Sequence, residues 1–410
     1  METEHKNNKR VYLDHAATTP PDPRVVEAML PYLNTHWANP SSIYVEAQTT
    51  RRAIDQARQS IANLIGANTS EVVFTAGGSE SDSLALRGVL AASKRRGNHL
   101  ITSAAEHHAV LDTAEQLEID GDADVTIITI NSQGQVDPNE VAASVREDTV
   151  LISVMHANNE VGAINNIDAI AHAAREKNPH VLIHTDAVQS VAHLGVNVDE
   201  LGIDLMTFTS HKVYGPRGAG ALYVRSGTPL APQALGGGQE ERRRAGTEDT
   251  AAIVGFAVAL NIASHERETN LAHERTLQRR LIEELPKRIS LSGITGPTSL
   301  DDRLPGNVSA VIGFVEGESI LLALDLAGFA ASSGSACTTG SVEPSHVLTA
   351  MGVPEDLARG SLRFSFGHSN TDEDVNRLLN ELPSIVERLR ELSPIATTEA
   401  PAHWQPWLQS

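Results

Sequence analysis

The chain has 410 residues, with 32 Lys plus Arg against 52 Asp plus Glu, a formal net charge of −20 and a single cysteine. The acidic balance argues against nucleic acid or an anionic membrane as a general partner, because both are bound through basic patches, and one cysteine excludes an internal disulfide framework. No apolar run approaches the ~18 residues of a membrane helix, residues 1–10 lack the apolar core of a signal peptide, and a reducing cytoplasm is the expected compartment.

Length alone predicts two domains at ~150 residues each, enough to bury a core without staples. In chain order, β-branched runs at 71–75, 99–103, 125–130, 150–156, 181–186, 205–209 and 220–224 read as strands. The stretches 81–93, 110–117, 167–176 and 198–201 read as helices. Several runs are apolar nearly throughout, as in strands covered on both faces. The alternation predicts a doubly wound α/β domain with a mostly parallel seven-stranded sheet, which binds ligands at the carboxyl ends of its strands. Near residue 255 the pattern changes. A polar stretch at 257–285 reads as one or two long helices. A strand at 307–312, a helix at 317–326, a loop around Cys337, a strand at 361–366 and an amphipathic helix at 371–392 then predict a smaller α+β domain. The tail from Pro394, with Pro401 and Pro406, is expected to be poorly ordered.

Polar clusters stand at the ends of these runs. The strongest follows 205–209: Thr209-Ser210-His211-Lys212-Val213-Tyr214-Gly215-Pro216. Lysine is rarely buried, and Lys212 stands where a catalytic residue of an α/β sheet would stand. Desolvation lowers the pKa of such an amine and lets it form a Schiff base. A single loop lysine is ordinarily just solvated, but here Thr209, Ser210 and His211 stand beside it as phosphate donors. A Schiff-base lysine next to phosphate ligands is what pyridoxal phosphate requires.

After 71–75 comes Ala76-Gly77-Gly78-Ser79-Glu80-Ser81-Asp82. Ser79 with Asp82 three residues on reads as a capping box opening a helix, and a helix N-terminus with free amides binds phosphate. Many Gly-Ser turns merely cap helices. Asp186 ends an otherwise apolar strand, where a buried carboxylate needs a cationic partner. A protonated pyridine nitrogen would serve, although an Asp capping the next helix is as common. Glu106-His107-His108 offers a ring that can stack on a cofactor and move protons. Asn158-Asn159-Glu160 follows 150–156, where Asn159 can bond a ring hydroxyl or a carboxylate. Arg363, inside the apolar run Ser361-Leu362-Arg363-Phe364-Ser365-Phe366, needs a partner. A bidentate substrate carboxylate is one candidate, and a structural salt bridge is the rival. Cys337 lies in Ser332-Ser333-Gly334-Ser335-Ala336-Cys337-Thr338-Thr339-Gly340. No large apolar residue flanks it there, so a reachable, reactive thiol is as good a reading as a chance cysteine.

These clusters resemble the cysteine desulfurases, class V enzymes of the fold-type I pyridoxal-phosphate-dependent transferases. The likeness runs from Tyr12-Leu13-Asp14-His15-Ala16-Ala17-Thr18-Thr19-Pro20 to about residue 392. It includes Asn39-Pro40-Ser41-Ser42, His184-Thr185-Asp186-Ala187-Val188-Gln189, Gly236-Gly237-Gly238-Gln239-Glu240 and the Cys337 run, whose length is similar to that of the long-loop subgroup. The resemblance implies that Lys212 holds pyridoxal 5'-phosphate and that His107 stacks on its ring as acid and base. Asp186 would pair with the ring nitrogen, while Gln189 and Asn159 meet the ring hydroxyl region. Gly78, Ser79, Thr209 and His211 would form the phosphate site, joined by Thr247 from the other subunit of a homodimer. Arg363 with Asn159 would hold the carboxylate of L-cysteine. Cys337 would take the sulfur as a persulfide and pass it to an acceptor or scaffold protein, for iron–sulfur cluster assembly or other sulfur transfer. The implied domains are 15–260 for the cofactor, 1–14 with 261–393 for the small domain carrying Cys337, and the tail 394–410. No metal is implied. Gly78-Ser79 stands where Ala-Thr is usual, Thr209-Ser210 where Ser-Gly is usual, and Ser83 where Asn is common. Arg242-Arg243-Arg244 is more basic than the pattern. Selenocysteine lyase or aminotransferase activity on the same scaffold, or a non-catalytic interaction subunit, are the alternatives.

Overall fold

The computed structural model describes residues 10–333, 344–392 and 399–408. It opens with β1 (Val11–Tyr12), α1 (Pro23–Asn34) and α2 (Val45–Ile65). Asp22 caps α1 by accepting from Arg24 N at 2.8 Å, with Pro23 at the first helical position. α2 buries a stripe of Ala47, Thr50, Ala53, Ile54, Ala57 and Ile61 and stops at Gly66, whose φ of 75° is the left-handed cap. The sequence reading anticipated neither helix.

Strands and helices then alternate: β2 (Val72–Thr75), α3 (Gly78–Ser93), β3 (His99–Ser103), α4 (His108–Ile119), β4 (Asp124–Ile128), α5 (Pro138–Ser144), β5 (Thr149–Ser153), α6 (Ile167–Lys177), β6 (Leu182–Asp186), β7 (Leu205–Thr209) and β8 (Gly220–Val224). They form a seven-stranded sheet in the order β2-β8-β7-β6-β5-β3-β4. β3 to β7 pair in parallel, and β8 runs against both β7 and β2. Every residue of β2, β3, β5, β7 and β8 is buried, which explains their continuous apolar runs. Side chains still alternate between the two faces. Ile101, Ile152, Met206 and Phe208 join one core with Ile54, Ile61 and Phe256. Leu100, Leu151 and Leu205 join the other with Leu84, Val89 and Val110 of the opposite face. Residues 198–201, expected to be helical, form one turn only, with Leu201 N bonded to Asn197 O at 3.0 Å.

α7 (Thr250–Arg288) is one helix of 39 residues. Its first half packs on α1 and α2, while Leu277, Leu281 and Leu285 enter a separate core. Around that core lie β9 (Ser292–Thr295), β10 (Asn307–Ile312), α8 (Gly317–Leu326), β11 (Phe329–Ala330), β12 (Ser361–Ser365) and α11 (Asp372–Leu392), while α9 (His346–Ala350) and α10 (Glu355–Ala358) pack in a further cluster with Met155, Val161, Val311 and Trp404. β12, β10 and β9 form an antiparallel sheet, and β1 pairs in parallel with β11. Val11 and Leu13 therefore belong to this second core. Among the described residues no helix is long and apolar enough to cross a membrane.

The tail departs from the expectation of poor order over its described residues 399–408. Trp404 is 2% exposed, its ring centroid lies 4.8 Å from that of Phe314, and its Nε1 donates to Asp356 at 3.0 Å. A buried indole outweighs the entropy of a short proline-bearing segment. Trp404→Ala should cost about 3–5 kcal/mol, read as a lower midpoint in thermal unfolding. An unchanged midpoint would show that the tail contributes nothing to the core.

Candidate active site

β7 ends at Thr209 and passes at once into the 3-10 turn Ser210–Lys212, so Lys212 stands at the carboxyl edge of the sheet. Its Nζ donates to Ala16 O at 2.5 Å and Ala17 O at 2.8 Å. Gln189 Nε2, beyond the end of β6, donates to the same Ala16 carbonyl at 3.0 Å. Thr19 Oγ1 donates to His211 O at 2.9 Å and accepts from Tyr214 N at 2.7 Å. Residues 14–19 thus form a strap from the small core across the lysine turn.

Asp186 closes β6 and is 5% exposed. Burial pushes its carboxyl up to about 6, against the lowering effects of the Val188 N–H, which donates to Oδ1 at 2.8 Å, and of the Lys212 charge. His107 caps α4, its Nδ1 accepting from Ala109 N at 3.0 Å. Burial, and then the Lys212 charge, push this imidazole down to about 4. At neutral pH the ring is neutral and, with Nδ1 accepting, its proton sits on Nε2. His211, half-buried, meets Thr18 Oγ1 at 3.2 Å through Nδ1 and is pushed down to about 4 by burial, Lys212 and Arg217.

The opposite wall is the start of α3. Gly77 precedes it without any side-chain cap, and Ser79 lies exposed on the first turn. A Cβ at Gly78 would stand 2.9 Å from Val188 Cγ2, so glycine lets the helix approach the loop after β6 without displacing that methyl group. The expected capping box is absent, because Asp82 is 1% exposed and turned into the interior. The amides of the first turn therefore remain open to a ligand. Thr209 is buried, with Oγ1 donating to Ala219 O at 3.1 Å.

Asn158, rather than Asn159, fixes the turn after β5. Its Oδ1 accepts from Glu160 N and Val161 N, both at 2.8 Å, and its Nδ2 donates to Ala105 O at 2.9 Å. Asn159 is left half-buried beside Arg363, whose Nη1 donates to its carbonyl at 3.1 Å. Arg363 is 4% exposed and pairs with Asp14 at 2.9 Å. The rival reading of a structural salt bridge is therefore realised, while Nε lacks a partner among the described residues.

Cys337 lies outside the described residues, but both flanks of its segment are placed. Ser332 and Arg363 exchange backbone hydrogen bonds of 3.2 and 2.7 Å. Ser345 Oγ donates to Glu160 Oε2 at 2.5 Å and also caps α9. The segment is thus fastened next to Arg363 on one side and to the Asn159 turn on the other. Thr247 is exposed on the loop before α7. That loop is stapled where Gln239 Oε1 accepts from Gly246 N at 3.2 Å. It is stapled again where Arg58 grips Glu240 through two 2.7 Å bonds. Glu240, Glu241 and Arg242 all have left-handed φ of 48°, 54° and 64°, and the buried Arg58–Glu240 pair holds this strain. Of the arginine run, Arg244 pairs with Glu80 at 2.7 Å and Arg243 donates to Ser70 O at 2.6 Å.

Glu160 is a residue whose role sequence reasoning missed, although its motif was noted. Among the described residues no group of three His, Cys, Asp or Glu is arranged to hold a metal.

Over residues 11–378 the chain matches the family described as Aminotransferase class-V. It is 48% identical to the cysteine desulfurase IscS of Dictyoglomus turgidum, over 94% of this chain and 97% of that one. It is 46% identical to the cysteine desulfurase IscS of Methanosarcina thermophila, over 96% of each. Among solved structures, a NifS-like protein superposes with a TM-score of 0.87 at 33% identity, covering 93% of this chain and 100% of that one. SspA in complex with cysteine does so with a TM-score of 0.76 at 37% identity, covering 87% and 98%. A parallel sheet that gathers a lysine, a buried aspartate and an open helix end at its carboxyl edge is the architecture of fold-type I transferases. The chain belongs to the class-V aminotransferase family and, within it, to the cysteine desulfurases.

The Glu160 clamp is testable. Burial raises the Glu160 carboxyl from 4.5 to about 7, against the opposing Ser345 hydrogen bond. A raised acid contributes stability that is fully present below its unfolded pKa and is lost as pH rises through the folded value. Glu160→Gln keeps an acceptor for Ser345 and removes that loss. The variant should therefore gain on the parent from about pH 4.5 to 7, by up to about 3 kcal/mol, and run parallel above about pH 8. A difference in thermal midpoint that is flat across this range would refute the assignment.

Proposed function

We propose that this chain is a pyridoxal-phosphate-dependent L-cysteine desulfurase acting as a homodimer. The observation that carries the reading is the meeting of Lys212 with buried Asp186 beneath the open start of α3. This set fits one molecule with a carbonyl, a cationic ring nitrogen and an anionic group. Asp186 is a buried carboxylate that accepts from the Val188 amide and lies near the Lys212 amine, a setting that suits a further cation. The uncapped amides at Gly78 and Ser79, with Thr209 and His211, suit a phosphate.

Pyridoxal phosphate, when bound, supplies a carbonyl that condenses with amines and a ring that draws electrons from the substrate Cα. The chain's residues do the rest. Lys212 Nζ, held by the Ala16 and Ala17 carbonyls, is the amine that anchors the cofactor and, once released, takes the Cα proton. Asp186 would keep the ring nitrogen protonated, and Gln189 with Asn159 would meet the ring hydroxyl. His107 would stack on the ring, with its transferable proton on Nε2. Arg363, beside Asn159, takes the substrate carboxylate. Thr247 completes the phosphate site from the other subunit, in keeping with its exposure. The thiolate of Cys337 attacks the substrate sulfur; the substrate Cβ–Sγ bond breaks with its electron pair left on carbon, a sulfur–sulfur bond forms on Cys337, and the carbon skeleton leaves as alanine after gaining a proton at Cβ and regaining at Cα the one that Lys212 took. The persulfide then passes to an acceptor or scaffold protein.

Incubation with L-cysteine should yield alanine, with sulfide when a reductant is added. Lys212→Ala should reduce turnover by at least about 10³-fold, and Cys337→Ser should leave no persulfide detectable by mass spectrometry. A keto-acid product would identify an aminotransferase instead. Full alanine and persulfide formation by Cys337→Ser would remove Cys337 as the nucleophile.

A further inference from the structure

We propose that Asp82 is a positioning residue for Asp186: a carboxylic acid kept neutral on the inner face of α3, it holds the proton of the pair so that Asp186 keeps the negative charge that faces the cofactor. The proposal rests on the pyridoxal-phosphate reading and extends it to a residue on α3.

Asp82 lies within α3, which packs on β6 and β7. His184 and Asp186 are two apart on β6 and so share one face of the sheet. The groups around Asp82 come from several elements. His184 Nε2 is 3.7 Å from Asp82 Oδ1, too long for a hydrogen bond. The Thr207 hydroxyl of β7, Asp186 of β6 and Glu106 of the turn before α4 also act on Asp82. None of these supplies a positive charge. His184 is fully buried, meets Ser153 Oγ at 2.8 Å and Thr207 Oγ1 at 3.1 Å, and is pushed down to about 3 by burial. It is neutral at physiological pH, so its contact with Asp82 is not an ion pair.

Two carboxyl groups that act on each other in a dry interior do not both ionise. The charge goes to the one with donors and a nearby cation, and Asp186 has the Val188 N–H and Lys212. Asp82 Oδ1 has no hydrogen-bond partner among the described residues, and both burial and the Asp186 charge raise Asp82 well above the ordinary carboxyl range. Glu106 is raised too, to about 8, but is already tied to Ser103 Oγ at 2.6 Å and Met155 N at 2.9 Å. Asp82 is therefore the member of the group left to hold the proton next to Asp186.

The test compares Asp82→Asn and Asp82→Leu with the parent. Cofactor-free protein is titrated with pyridoxal phosphate, and the bound chromophore is then followed against pH. The amide of Asn is neutral and polar like the protonated acid, so Asp82→Asn should bind within about twofold of the parent with the same absorption midpoint. Asp82→Leu should bind roughly tenfold more weakly, with a shifted midpoint. Equal weakening by both variants, or no change in Asp82→Leu, overturns the proposal. A parent protein that takes up no pyridoxal phosphate defeats the cofactor reading instead. Should Asp82→Leu not fold, the thermal midpoint of cofactor-free Asp82→Asn still decides. A raised acid loses stability as pH rises above its unfolded value near 3.8, so Asp82→Asn should gain on the parent between pH 4 and 8. An Asp82 ionised in the folded state would titrate below 3.8 and would leave the variant less stable than the parent by a constant amount, with no gain from pH 4 to 6.

Discussion

A carboxylate at the end of a dry strand must be matched by positive charge, and Asp186 imposes that demand on the rest of the site. An isolated buried carboxylate would cost tens of kcal/mol by ideal solvation arguments, and proteins answer with a proton or a partner. Here the answer is divided. One backbone amide and the Lys212 amine lower the demand without removing it, so Asp186 stays near 6. The carbonyls of Ala16 and Ala17 that hold Lys212 are neutral dipoles. They fix the amine in place and leave its charge to act on Asp186, His107 and His211. A carboxylate partner in their place would have cancelled it.

That arrangement depends on residues 14–19 lying across the lysine turn, and these residues are held from both cores. Val11 and Leu13 anchor the strap in the small core. Asp14 pairs with Arg363 of β12, and Thr19 binds the His211 and Tyr214 backbone. The Asp14–Arg363 pair is nearly buried, and such a pair adds little stability over an apolar one. Its geometric effect is larger. It ties the small sheet to the strap that positions Lys212, and through the Arg363–Ser332 backbone pairing it ties the same sheet to one flank of the Cys337 segment. Through Ser345, Glu160 holds the other flank to the turn that carries Asn159.

Much of this was legible in the sequence, for reasons that differ by residue. Strands 99–103, 205–209 and 220–224 could be read to the residue because both of their faces are buried and their ends carry polar clusters. Lys212 and Asp186 stood out because each stands at or just past the end of an apolar strand. α2 was missed because its buried stripe is built largely from Ala and Thr, which carry a weak hydrophobic signal. The start of α1 was signalled by Asp22-Pro23, a cap followed by a first-turn proline, and went unread. Ser79 with Asp82 matched the spacing of a capping box, but spacing does not reveal burial, and the interior claimed Asp82. The proline-bearing tail looked like a linker, yet one tryptophan packed on Phe314 decides its fate.

Protonation states complete the picture of the proposed chemistry. His15, His107, His156 and His211 are all pushed to about 4 and His184 to about 3, in each case chiefly by burial. None is a cation at neutral pH, so none competes with Lys212 for Asp186. The same burial divides the acid and base roles. A neutral His107 with Nδ1 bonded to the Ala109 amide carries its proton on Nε2, which makes it a donor first. To act as a base it would have to gain a second proton in a setting that holds it near 4. In the proposed chemistry Lys212, once it has given up a proton, is the group with a lone pair to offer. In the proposed chemistry, burial of one imidazole would thus make His107 the giver and Lys212 the taker, and the hydrogen bond that caps α4 would fix which nitrogen gives.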